Sequence, residues 1–155
     1  MKRAYFLLIL IAFGLLQSTL LNYLRVFGVK PDILLISVVI ASLYFDWGWG
    51  LFFSISAGLI KDILGVYPLG INTALFTIWS IVIMQLVKKI NLDYRGIRTL
   101  LIFTVAILND IITSLILISG GSFVPLWIFL RISLLSAVYT ASVWPLIFKA
   151  VKSVL

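Results

Sequence analysis

Residues 32–64 read DILLISVVIASLYFDWGWGLFFSISAGLIKDIL, and how this stretch divides decides the fold. A membrane-spanning helix needs about 20 apolar residues, with a range of roughly 17–25. Asp46-Trp47-Gly48-Trp49-Gly50 breaks the run. One charge, two Gly and two Trp suit a tight turn at a membrane interface. The stretch therefore predicts two helices, over 32–46 and 48–64. Each has about 15–17 residues and a length of roughly 25 Å at ~1.5 Å per residue. That is at the short limit for a full crossing, where local thinning or a partial span is expected. Pro31 suits the first turn of the earlier helix, where its missing N–H is not needed. Asp32 then lies near the positive end of that helix dipole.

Working outward, the apolar runs predict four more spans, over 4–24, 69–87, 98–118 and 126–148. The basic start Met1-Lys2-Arg3 before an apolar run also describes a signal peptide. The run Ala4–Leu16 continues through Leu20-Leu21 to Leu24, however, and no Ala-x-Ala site follows. It reads as an uncleaved first span. Pro68 and Gly70 open the fourth helix, and Gly120-Gly121 with Pro125 forms the last turn. The expected fold is an all-α integral membrane protein, a six-helix bundle forming one domain over 1–155.

Composition agrees. Of 155 residues, 63% are hydrophobic and 11% charged, against about 45–50% and about 25% in soluble domains. Too little polar surface remains to cover a water-soluble body. A soluble enzyme, a disordered tail and a nucleic-acid module are excluded. With no Cys and no His, disulfides and the usual zinc and haem ligands are excluded, and no cofactor is expected.

The net charge of +7 comes from 12 Lys and Arg against 5 acids, all Asp. Lys2, Arg3, Lys88, Lys89, Arg95, Arg98, Lys149 and Lys152 fall on one side of the predicted spans. Only Arg25 and Lys30 fall on the other. This bias predicts cytoplasmic termini and contact with anionic lipid heads.

With that orientation, Gln17, Asn22, Lys61, Asp62, Asn72, Thr73, Asn109, Asp110 and Arg131 gather in the outer half of the membrane. Charges there cost about 2.5–3.5 kcal/mol each on insertion scales, so they face the bundle interior and pair. Lys61 and Asp62 are about 100° apart on a helix and face different neighbours. The expected pairing is Asp110 with Arg131 or Lys61, with Asp62 held by Asn72 or the backbone around Gly65–Gly70. The plainer reading is that these residues only glue the bundle or snorkel to the interface. Gly14 and Gly58 are candidate close-packing sites. Trp79 reads as packing, and the other Trp as an interfacial belt. No nucleophile lies near a recognisable base and no Gly-rich phosphate loop occurs, so no catalysis is expected.

Two segments carry a family resemblance. Gly28-Val29-Lys30-Pro31-Asp32-Ile33-Leu34-Leu35 resembles the Lys-Pro-Asp-Leu-Leu-Leu pattern of the rod shape-determining protein MreD family. Gly58-Leu59-Ile60-Lys61-Asp62-Ile63-Leu64-Gly65, followed by Pro68-Leu69-Gly70, resembles that family's Gly-x-x-x-Asp-x-x-x-Gly and Pro-Leu-Gly signature. The motifs cover about residues 28–73, and the second half agrees only in hydropathy. Lys61 departs from the pattern, which has an apolar residue there.

The resemblance implies a non-enzymatic, multi-pass protein of the bacterial cytoplasmic (inner) membrane. It implies a partner in the bitopic MreC and, through MreC, in MreB and the RodA–transpeptidase peptidoglycan synthase. It also implies a fold similar to the substrate-binding subunits of energy-coupling-factor vitamin transporters. A partner helix needs a lipid-facing groove, for which Ser54, Ser56, Ala57 and Gly58 are candidates. The alternatives are a vitamin-type substrate-binding subunit and an ion- or proton-coupled carrier using Asp62 and Asp110. The first lacks its Ala-x-x-x-Ala docking motif, because Leu8 and Leu16 flank Ala12. Oligomeric state is not legible.

Overall fold

The computed structural model describes residues 2–19, 28–65, 68–89, 94–121 and 125–152. Among them are six helices and no strand-built sheet: α1 (Lys2–Ser18), α2 (Ile33–Tyr44), α3 (Trp47–Leu64), α4 (Ile71–Val87), α5 (Arg95–Ser119) and α6 (Leu126–Lys152). Asn22, Arg25 and the 20–24 end of the expected first span lie outside the described residues.

Two helices, α5 and α6, are long and apolar enough to cross a membrane, where six spans were expected. The largest departure is α2. It has 12 residues, about 18 Å at ~1.5 Å per residue, against an apolar bilayer core of about 30 Å. Its sequence is apolar on every side, which marks a helix enclosed by others. Ile33 through Ser42 are all buried, and α2 touches all five other helices. The run ILLISVVIASL is therefore core, and its apolarity does not report lipid contact.

The remaining helices wrap this centre. The heaviest packing is α3 on α4 and α5 on α6. Gly14 of α1 lies against Ile60 of α3. At Gly58 of α3 an added Cβ would meet the backbone of α4, with Asn72 O at 2.9 Å and Thr73 N at 2.8 Å. Trp79 is buried in the core.

Basic residues collect at one end. Arg3 pairs with Asp46 at 3.6 Å and lies 4.6 Å from the Trp49 ring centroid. Lys88 sits 5.5 Å from the Trp47 ring centroid. Arg98 donates to Tyr44 Oη at 2.6 Å and faces the Phe148 ring. The polar cluster of Asp32, Lys61, Asn72, Asn109 and Asp110 lines a cavity at the other end of these helices.

Candidate functional site

Asp32 is the N-cap of α2. Its Oδ1 accepts the Leu35 backbone N–H at 3.1 Å, which satisfies an amide the first helical turn leaves open. The same oxygen accepts Gln17 Nε2 at 3.1 Å, and Gln17 Oε1 accepts the Leu34 N–H at 3.0 Å. The Asp32 N–H donates to Thr140 Oγ1 at 3.1 Å. Asp32 Oδ2 accepts the Lys61 ammonium in an ion pair. That ammonium also lies 4.8 Å from the Phe76 ring centroid, a favourable cation–π position. One carboxylate thus ties α1, α2 and α3 together, while its backbone reaches α6.

Asp62 does for α4 what Asp32 does for α2. Its Oδ2 accepts the Gly70 N–H at 3.0 Å, the Thr73 N–H at 3.0 Å and Thr73 Oγ1 at 2.6 Å. Its Oδ1 accepts the Asn72 N–H at 3.1 Å and Asn72 Nδ2 at 2.9 Å. A charge from the end of α3 therefore caps the start of α4, where open amides and the helix dipole favour an anion. Gly58 and Asp62 are four residues apart and share a helix face. The missing Cβ of Gly58 lets α4 approach, and Asp62 fastens it. Gly70, at φ +100°, turns the chain into α4 in the left-handed region open to glycine.

Asp110 is partly buried on α5 and accepts hydrogen bonds from Asn109 and from Ser136 of α6. The expected ion pair with Arg131 or Lys61 is not present. Lys61 is held by Asp32. Arg131 is exposed and lines a separate groove with Trp127, Leu130, Leu134 and Leu135. Helical phase gives the reason. The buried face of α6 carries Ser133, Ser136, Ala137, Thr140 and Trp144. Arg131 is two positions before Ser133, about 200° away at ~3.6 residues per turn.

A cavity of about 400 Å³ lies between the 28–32 segment, α5 and α6. Lys30, Pro31, Asp32, Lys61, Asn72, Asn109 and Asp110 all line it, with Leu117, Phe129 and Ile132 as an apolar wall. Of the motif residues, Lys30, Pro31 and Asp32 border the cavity, while Gly58 and Asp62 lie behind it in the α3–α4 contact. Gly65 and Pro68 are exposed in the connection before α4. Among the described residues no cluster of His, Cys, Asp or Glu suits a metal ion.

Several contributors were absent from the sequence-based site. Thr113 and Ser133 line the cavity, Ser136 holds Asp110, and Thr140 holds the start of α2. A signal existed. Asn109 and Thr113 are four apart on α5, and Ser133, Ser136 and Thr140 recur at three- and four-residue spacing on α6. That periodicity marks one polar face on an apolar helix.

Comparison with known proteins returns no matching family model, curated protein or solved structure.

Proposed function

We propose that the chain is a six-helix protein of the bacterial cytoplasmic membrane, of the MreD type. In this reading it acts as a non-catalytic scaffold of the elongation machinery. It binds MreC and, through MreC, supports MreB and the RodA–transpeptidase synthase. The observation that carries the reading is the meeting of its two motif segments. Lys61, inside the Gly58–Gly70 signature, bonds Asp32 of the Lys30-Pro31-Asp32 segment. Short patterns that resemble a family by chance have no reason to interlock.

Membrane residence is supported by α5 and α6, whose most apolar windows are only 28% and 33% buried. Leu100, Leu115, Leu134 and Leu146 stand out from them. Apolar surface on that scale requires a lipid or protein cover. The short helices then sit within a thinned or partly spanned layer.

The surface for a partner helix is not the one expected. Ser54, Ala57 and Gly58 are buried against neighbouring helices. An open groove instead runs between α3 and α4, lined by Ile55, Leu59, Ala74, Thr77 and Ile78. Small residues there permit close backbone approach, which drives helix association in lipid. Capture of the tagged chain from crosslinked membranes is expected to yield MreC. Ala74→Trp with Thr77→Trp is expected to release it. Absence of MreC from the capture overturns the reading.

The cavity favours a second reading, a substrate-binding subunit of a vitamin-type transporter. Capture of a membrane subunit coupled to ATPases, in place of MreC, would support it.

A further inference from the structure

Three side-chain oxygens at the cavity have no protein hydrogen-bond partner: Asn72 Oδ1, Asn109 Oδ1 and Thr113 Oγ1. Their residues are 1%, 1% and 8% exposed. Buried polar atoms left unmatched cost about 1–3 kcal/mol each, and structures rarely keep several in one place. The orientation of the two amides is fixed. Asn72 turns its NH2 to Asp62, and Asn109 donates to Asp110. A carboxylate accepts only from the NH2 end, so each carbonyl is left as an open acceptor. Beside them stands Asp110, which no ion pair reaches among the described residues.

This is an acceptor-rich site with one uncompensated negative charge. An anion would face Asp110 and two carbonyl oxygens, while the nearby Lys61 is already committed to Asp32. A bare metal ion would leave most of about 400 Å³ unfilled, whereas cavities of about 300–1,000 Å³ suit organic ligands. Opposite the polar atoms stand Leu117, Phe129 and Ile132, a wall for an apolar body. We propose that this cavity binds a primary ammonium carried on a small apolar or neutral body. The three N–H donors of the ammonium would meet Asp110, the Asn109 carbonyl, and Asn72 or Thr113. A free amine and an ethanolamine lipid headgroup share this chemistry. The inference stands on the cavity and is independent of the MreC reading, since binding is measured on the isolated chain.

The test uses the purified full chain in phosphatidylcholine nanodiscs, titrated with benzylamine. Benzyl alcohol, benzyltrimethylammonium and sodium chloride are the comparison probes. Saturable binding of benzylamine alone is expected. Asp110→Asn should weaken it about tenfold or more, the effect of losing a charge partner. Thr113→Val should weaken it about two- to tenfold, the range of one hydrogen bond. Arg131→Ala, on the opposite face of α6, should leave it unchanged. Replacing the lipid with phosphatidylethanolamine then separates the sources. A rightward shift of the benzylamine curve that Asp110→Asn abolishes assigns the site to the headgroup, and an unchanged curve assigns it to a free amine. No saturable binding, equal binding of benzyl alcohol or the quaternary amine, or stabilisation by sodium alone overturns the proposal.

Discussion

Lys61 and Asp32, twenty-nine residues apart, form an ion pair in which neither side chain is more than 17% exposed. The pair resolves an oddity of sequence. A lysine beside Asp62 would seem to compete for the same carboxylate, yet the helix turn sends them to different partners. Lys61 goes back to the start of α2, and Asp62 goes forward to the start of α4. The two carboxylates perform the same task, each closing the open amides of a helix that begins inside the bundle.

Removing one partner of a buried pair leaves the other charge uncompensated, at about 3–5 kcal/mol. Lys61→Met is expected to destabilise the protein by about that amount. Asn caps helices about as well as Asp. Adding Asp32→Asn to Lys61→Met should therefore recover part of the loss, although Asp32→Asn alone is destabilising. Unfolding midpoints of the four variants in detergent measure the cycle. Simple additivity would show that the pair contributes nothing as a pair.

Gly58→Ala places a methyl group against the backbone of Asn72 and Thr73. Backbone cannot swing aside as a side chain can, so the cost is expected at about 1–3 kcal/mol or above. Gly48→Ala, in open space near the start of the same helix, should be neutral or stabilising by about 0.5–1 kcal/mol. Equal effects at the two glycines would contradict the close approach of α3 and α4.

Asp62→Asn keeps the size but turns an NH2 group toward donors. The carboxylate now serves five donors: three backbone N–H groups, the Asn72 amide and the Thr73 hydroxyl. Hydrogen bonds to charged groups contribute about 1.5–3 kcal/mol each. A loss of at least about 2 kcal/mol is expected, with Thr73→Val costing about 1 kcal/mol. Arg131→Ala should stay within about 0.5 kcal/mol. Thermal unfolding ranks the three, and a neutral Asp62→Asn would remove the capping role.

Much of this arrangement was legible and some was not, for identifiable reasons. Pro31-Asp32 and Asp46–Gly50 act locally, through a missing N–H, a capping carboxylate and a tight turn. The expected helices over 32–46 and 48–64 therefore lie close to Ile33–Tyr44 and Trp47–Leu64. The contact of Asp62 with Asn72 is also short-range. Lys61 meeting Asp32 is not local, because it depends on how α3 packs on α2. Arg131 was misplaced although its phase against Ser133, Ser136 and Thr140 was available. Charge balance suggested a partner, and geometry denied it. The run of α2 misled most, since a helix enclosed by helices and a helix enclosed by lipid carry the same apolar sequence.

The basic end of the bundle gives a prediction about topology. Arg3, Lys88 and Arg98 converge on Asp46, Trp47, Trp49, Tyr44 and Phe148. Residues from the first helix, the 88–98 link and the last helix therefore share one end, as the Lys and Arg distribution requires if that end is cytoplasmic. Aromatic rings beside those cations suit the interface, where an apolar body and a polar edge are both accommodated. The chain has no Cys, so single cysteines report without background. Lys89→Cys and Lys152→Cys should resist a membrane-impermeant maleimide in intact cells and react once the membrane is opened. Leu69→Cys and Ser119→Cys, exposed near the opposite end, should react in intact cells. The reverse pattern would invert the orientation and place the cavity lined by Asp110 and Asn109 on the cytoplasmic side. A free amine from outside could not then reach it.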